Sequence, residues 1–163
     1  MEQRIFRLPA TKSKEALKQT ATAYLCVKGA GKALDFYTRA FGATEVYRLS
    51  EPGGDGKIGH AEFEIGNSRL MISDEYPDFG ALSPPSVGGS PVKLHLRVDN
   101  VDAFVKHAVD CGAMLVRPAT DQFFGERNAM IADPFGHSWF VTTQIEDVSP
   151  VEMQRRWAQA FEK

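Results

Sequence analysis

LHLRVDNVDAFVKHAVDCGAMLVRP, from Leu94 to Pro118, reads as a strand, a polar turn, an amphipathic helix, a Gly-Ala break and a second strand. Leu94, Leu96 and Val98 alternate with His95 and Arg97, the period of a strand whose two faces meet different surroundings. Asp99 or Asn100 is placed to cap the helix that follows. Val101, Phe104, Val105 and Ala108 recur at helical spacing, and Cys111-Gly112 ends the run. The same pattern stands earlier in the chain, from Tyr24 to Leu49, as YLCVKGAGKALDFYTRAFGATEVYRL. There Val27 matches Val98, the helix carries Ala30, Ala33, Leu34 and Tyr37, and Gly42-Ala43 matches Gly112-Ala113. A second echo pairs Ile65-Gly66-Asn67-Ser68 with Phe135-Gly136-His137-Ser138. A spacing of roughly 70 residues is too long for a solenoid and indicates two modules.

Composition narrows the class. A chain of 163 residues with 43% hydrophobic residues can bury a sizeable core. Its formal net charge of −2, with dispersed Lys and Arg, gives no reason to expect nucleic acid as a partner. No apolar run approaches a membrane span and no signal-peptide core is present, so a soluble, cytoplasmic protein without membrane contact is expected. Cys26 and Cys111 read as small buried hydrophobes in a reducing compartment.

The expected organisation has five parts. Residues 1–20 form an N-terminal arm, in which Ser13–Gln19 offers at most a turn of helix. Residues 21–74 form a first βαβββ module, with Gly53-Gly54-Asp55-Gly56 as an internal turn. Residues 75–91 are rich in Pro, Gly and Ser, too polar and punctuated to pack, and read as a linker or lid. Residues 92–144 form a second βαβββ module. Residues 145–163 hold an amphipathic helix with Ser149 as N-cap, Pro150 at the first position and Glu152 completing a capping box. Its stripe of Met153, Trp157 and Phe161 is expected to dock on the protein or on a partner subunit.

Two such modules in tandem resemble the vicinal oxygen chelate superfamily, which includes glyoxalase I, extradiol dioxygenases and bleomycin- and fosfomycin-resistance proteins. The likeness is nearest to its PhnB-like branch and spans Ala21 to Thr143. It rests on the order of Ala33-Leu34-Asp35-Phe36-Tyr37, Phe41-Gly42-Ala43, Gly59-His60-Ala61-Glu62 and Leu70-Met71-Ile72-Ser73-Asp74-Glu75. In the second module it rests on Val98-Asp99-Asn100-Val101, Phe124-Gly125-Glu126-Arg127 and Asp133-Pro134-Phe135-Gly136-His137-Ser138-Trp139. The resemblance implies an α+β fold in which a curved mixed sheet surrounds a cavity.

In the metalloenzymes of that superfamily, side chains from the first and last strands of both modules hold a divalent metal, which acts as a Lewis acid. Carried onto this chain, those positions fall on Thr22, Lys93, Phe140 and either Leu70 or Met71. None is a His, Asp or Glu. No metal or other cofactor is therefore expected, and a divalent metal at a displaced site is the alternative.

Strand alternation places His60, Glu62 and Glu64 on one cavity wall, and Lys93, His95 and Arg97 on the other, with Tyr24, Cys26, Ser138, Phe140 and Thr142 beside them. His95, His60 and Glu62 are the candidates for catalysis, as a displaced metal site or an acid/base pair; the competing reading is a polar wall. Phe124 and Arg127 belong to a loop that either stacks on a flat ligand or only anchors a hairpin, with Glu126 and Arg127 solvated. His137 is expected to be exposed. The expected ligand-binding set is Tyr24, Lys93, His95, Arg97, Phe124, Arg127 and Phe140. The expected role is metal-independent binding of a small organic molecule by a homodimer. The alternatives are a metal-dependent lyase or dioxygenase-like enzyme and a metal-free acid/base enzyme using His95 or His60.

Overall fold

The computed structural model describes residue 19, residues 21–54 and residues 56–161. The expected N-terminal arm lies outside the described residues apart from Gln19, and so does Asp55 of the glycine-rich turn. The first βαβββ unit comprises β1 (Tyr24–Val27), α1 (Ala30–Phe41), β2 (Thr44–Ser50), β3 (Ile58–Ile65) and β4 (Ser68–Asp74). A 3-10 turn (Pro77–Phe79) and the short α2 (Pro84–Val87) lead into the second unit. That unit comprises β5 (Lys93–Arg97), α3 (Val101–Asp110), β6 (Met114–Asp121), β7 (Glu126–Ala132) and β8 (Ser138–Gln144), and α4 (Pro150–Gln159) follows it. The strands form two four-stranded sheets of order β1-β4-β3-β2 and β5-β8-β7-β6. In each, the first strand runs parallel to the last and the other pairings are antiparallel.

The apolar face of each strand meets the helix of its own unit. Ala61, Phe63 and Ile65 of β3 are buried, whereas His60, Glu62 and Glu64 are half-buried on the opposite face. In β7 and β8 the buried residues are Ala129, Ile131, Trp139 and Val141. The two helix-covered faces merge into one core. Phe41 of α1 lies against both Phe104 of α3 and Trp139 of β8, with ring centroids 5.4 and 4.9 Å apart. Asp133, buried in the β7–β8 turn, accepts hydrogen bonds from the Tyr37 hydroxyl (2.7 Å) and from Trp139 Nε1 (2.9 Å), joining α1 to the second sheet. Burial first, and the Asp133 carboxylate second, push the Tyr37 phenol well above its ordinary value.

Several sequence expectations change in detail. Asn100, not Asp99, caps α3 by accepting from Ala103 N at 3.0 Å. The Pro-rich segment is packed at Ser83 and Pro84, although most of its residues are exposed. Ser83 is fully buried, and its backbone N–H and hydroxyl both donate to Glu75 Oε1 at 2.6 Å. Pro84 and Pro85 press on Gly136, where a Cβ would come within 3.0 and 2.9 Å of them. Rigid rings seated on a glycine anchor the middle of this polar segment. His137, expected at the surface, is half-buried and donates from Nε2 to the Cys26 carbonyl at 3.3 Å. Both cysteines are free and only partly buried, because Cys26 points to the open side of β1 and Cys111 stands at a helix end.

The tail helix forms, but with half of the expected capping box. Ser149 Oγ accepts from Glu152 N at 3.3 Å, while the Glu152 carboxylate turns to Arg155 and Arg156. Trp157 packs on Phe123 with centroids 5.4 Å apart yet stays about half exposed. Arg156 donates to the Phe123 carbonyl and to Glu146, fastening α4 to the turn before β7. Among the described residues no helix is long and apolar enough to cross a membrane.

Candidate functional site

The uncovered faces of the two sheets carry the polar chemistry. On the first, side chains from all four strands join a continuous chain of contacts. Tyr24 of β1 bonds His60 Nδ1 at 3.0 Å, and His60 Nε2 of β3 meets the Tyr47 hydroxyl of β2 at 3.1 Å. Tyr47 donates to Glu62 Oε1 at 2.9 Å. Arg69 of β4 holds the other Glu62 oxygen at 3.1 Å and Glu64 at 2.7 Å. The bond to Glu62 raises the Tyr47 phenol above its ordinary value, since a phenol that donates to a carboxylate keeps its proton. The glutamates are thus answered by Arg69 of their own sheet. Arg69 and Tyr47 were missing from the expected set, although the inward Leu70 and Ile72 place Arg69 and Met71 on the open face by alternation.

The second open face is built differently. Lys93, His95 and Arg97 of β5 register with Ser138, Phe140 and Thr142 of β8. Arg97 donates to Glu126 Oε1 at 3.2 Å, and His95 Nε2 lies 3.6 Å from Glu126 Oε2. Arg117 of β6 donates to Asn128 Oδ1 at 2.7 Å, and its guanidinium sits 5.5 Å from the Phe140 ring centroid. Glu126, solvated in the hairpin-anchor reading, is therefore an internal partner of this face.

Arg127 requires a correction. It does not lie on the cavity side: it donates to Asp102 of α3 at 2.8 and 2.9 Å and to Asp121 at 2.8 Å. Alternation explains this, because Ala129 and Ile131 face the core and Arg127 shares their side of β7. Phe124 sits in the turn before β7, edge-on to Phe123 at 5.2 Å, in the cluster that receives α4. Gly125 is required there, since a Cβ would lie 2.5 Å from the Glu146 carbonyl oxygen. The hairpin-anchor reading of this loop describes its contacts.

Two concavities adjoin these faces. A cleft of about 170 Å³ separates the start of β4 from β5, with Leu70, Leu94, Leu96 and Trp139 as its apolar lining and Arg69 and His95 as polar groups. A second recess of about 350 Å³ lies beside Tyr24, between Gly59, Ser73, Tyr76 and Phe79. Of the residues expected to bind ligand, His95 lines the cleft and Tyr24 the recess, while Lys93, Arg97 and Phe140 share the face of His95.

The residues do not fit the metal implied by the resemblance. β1 and β4 align Tyr24 with Met71, so Met71 rather than Leu70 takes the open-face position. With Thr22, Lys93 and Phe140, that leaves an ammonium, an aromatic ring, a thioether and a hydroxyl where imidazole and carboxylate donors would stand. Among the described residues no three His, Cys, Asp or Glu side chains cluster in a way that would hold an ion.

Comparison with known proteins agrees with this architecture. Residues 17–141 match the family model described as the glyoxalase/bleomycin resistance protein/dioxygenase superfamily. An uncharacterised protein of Mycobacterium bovis is 40% identical over 134 residues, 80% of this chain and 87% of that protein. A gene product from Arabidopsis thaliana of known structure is 27% identical, with a TM-score of 0.61 over 76% of this chain and 97% of that one. A PhnB protein from Bacillus cereus shares the fold at 24% identity, with a TM-score of 0.58 over 77% of this chain and 99% of its own.

Proposed function

Since this chain belongs to the glyoxalase/bleomycin resistance protein/dioxygenase superfamily, a fold that hosts unrelated chemistries, we propose its function from its own side chains: binding of a small, flat organic molecule, anionic at one end, without a metal. The observation that carries this reading is the second open face, where, among the described residues, Lys93, Arg97 and Arg117 share a face with the one carboxylate of Glu126, and Arg117 lies over the Phe140 ring. An aromatic surface with a surplus of fixed cation suits a carboxylate-bearing aromatic. The apolar cleft between β4 and β5 offers room for the ring.

The active form in this reading is a cytoplasmic homodimer. Among the described residues, the first open face sets two carboxylates, Glu62 and Glu64, against Arg69, and so complements the cationic face of a second copy. Such a dimer would close a cavity over faces that a single chain leaves open. Two free thiols accord with a reducing compartment.

The test is a thermal-shift screen of aromatic acids, amines and neutral analogues, with light scattering on the same samples. Acids should stabilise the protein best, and Arg97→Ala should weaken them about ten-fold, the worth of one screened charge-assisted bond. Preference for amines, or acid binding indifferent to Arg97, would end this reading, and a one-chain mass at micromolar concentration would end the dimer.

A further inference from the structure

The hydrogen bonds on the first open face have a direction, and protons decide it. Glu62 only accepts, so the single Tyr47 proton is committed to it at 2.9 Å. Tyr47 must then accept at its oxygen, which requires neutral His60 to carry its proton on Nε2. His60 Nδ1 is left as an acceptor, and the Tyr24 hydroxyl donates to it at 3.0 Å. The imidazole is thereby fixed in one tautomer, with its basic nitrogen turned to Tyr24. Tyr24 in turn is about half exposed and lines the recess of about 350 Å³.

We propose that Tyr24, backed by His60, is a metal-free proton acceptor for a weak carbon or oxygen acid bound in this recess. The proposal rests on the reading that the open faces bind a small organic molecule, and adds a reaction to it. The step balances as a double transfer. The bound acid gives its proton to the Tyr24 oxygen as the phenolic proton of Tyr24 passes to His60 Nδ1. The products are the ligand anion, a neutral Tyr24 and an imidazolium, and no electrons leave or enter. The new positive charge lies 3.8 Å from Glu62 Oε1. Tyr24 is the catalytic residue in this scheme, since it alone meets the ligand; His60, Tyr47 and Glu62 are positioning residues. Imidazole is suited to the task because its ordinary pKa lies close to neutrality.

The charged and titratable groups around His60 come from every strand of the sheet. They are Tyr24 from β1, Tyr47 from β2, Glu62 from β3 itself and Arg69 from β4. Tyr76 borders the recess from the connecting segment, and its hydroxyl is committed to Glu51 at 2.8 Å, a bond that holds its phenol up at about 12. Tyr76 therefore does not compete for the proton.

A nitrobenzisoxazole, a flat carbon acid whose ring opens to a coloured cyanonitrophenolate once its proton is removed, tests the base directly. The base takes the ring C–H proton, the N–O bond breaks, and the phenolate leaves with the electron pair. The full-length protein should open the probe faster than an equal concentration of free imidazole. The rate should rise with pH as the base loses its proton. Tyr24→Phe and His60→Gln should each lower it at least about ten-fold, and Tyr47→Phe should lower it less. In His60→Gln the rising limb of the pH profile should also vanish, which a merely structural loss would not produce. Nitrogen-detected spectra of labelled histidine should show His60 protonated at Nε2 in the free protein. A wild-type rate no better than imidazole, a rate that survives both substitutions, or His60 protonated at Nδ1 each overturns the proposal. Binding of the phenolate product, measured separately, reports on the recess as a ligand site: binding without variant-sensitive turnover removes the base and leaves the binding reading standing.

Discussion

The two sheets share a plan and differ in how each closes its own polar groups. In the first, the last strand supplies a buried carboxylate to the helix. Asp74 Oδ1 accepts from Gly29 N (2.7 Å) and Ala30 N (3.0 Å), and Oδ2 from Ile58 N (2.8 Å). In the second, the same strand position offers only a hydroxyl, Thr143 Oγ1, to Val101 N at 2.8 Å, and Asn100 adds a local cap. The open faces diverge further. The first is a continuous chain of tyrosine, histidine, glutamate and arginine, whereas the second sets more cations than carboxylates among the described residues. The two units share the apolar scaffold and differ at the polar positions.

The largest expected effect lies in that capping difference. Asp74→Ala strands three backbone donors in or near the core and should cost about 4 kcal/mol, whereas Thr143→Val strands one and should cost about 1 kcal/mol. Urea unfolding of both variants measures the contrast. Equal losses would mean that the carboxylate at the end of β4 does no more than the hydroxyl at the end of β8.

A smaller effect concerns Tyr37, whose ring and hydroxyl meet one side chain from each unit, Phe63 and Asp133. Phe63 stacks on the Tyr37 ring with centroids 5.2 Å apart, and Asp133 takes its hydroxyl. Tyr37→Phe keeps the stack and leaves Asp133 three other donors: Trp139 Nε1 and the backbone N–H groups of Phe135 and His137. The cost should be about 1–2 kcal/mol. Because folding raises the Tyr37 pKa, its contribution is fully present below the unfolded value of about 10 and fades as the pH rises through the folded value. Wild type should therefore lose stability on the alkaline side more steeply than Tyr37→Phe. Parallel alkaline limbs would show that this hydroxyl is not what ties the two units together.

Most of this architecture was legible because burial imposes periodicity. Leu94, Leu96 and Val98 announced a two-faced strand, and the helices of both units carried their apolar stripes openly. The open faces were harder to read. Arg127 was misplaced because its loop was judged by composition, whereas counting back from Ala129 and Ile131 puts it on the helix side and Glu126 on the open one. Arg117 had no such signal, since the β6–β7 pairing shifts register on either side of it and breaks the alternation. Nor does polar, proline-rich composition reveal that Pro84 and Pro85 meet Gly136, a contact between segments far apart in the chain.

The smallest expected effect tests whether the surplus charge of the second face is usable. Glu126 is an internal carboxylate already seated on Arg97 and His95, where an anionic ligand would otherwise bind. Glu126→Gln keeps the shape, removes the competing charge and leaves Arg97 an unanswered cation. Glu62→Gln does less on the first face, because Arg69 retains Glu64 at 2.7 Å. Arg97 is largely exposed, so solvent screens most of the gain, and about 1 kcal/mol or less is expected. Benzoate titrated against the three proteins by calorimetry should bind Glu126→Gln up to about five-fold more tightly than wild type, and Glu62→Gln no more tightly. The difference should shrink as salt is added, since it is electrostatic and near the surface. If both substitutions tighten benzoate alike, only net charge matters and the two faces are not specialised. If neither does, Glu126 is not the internal competitor its contacts with Arg97 and His95 make it.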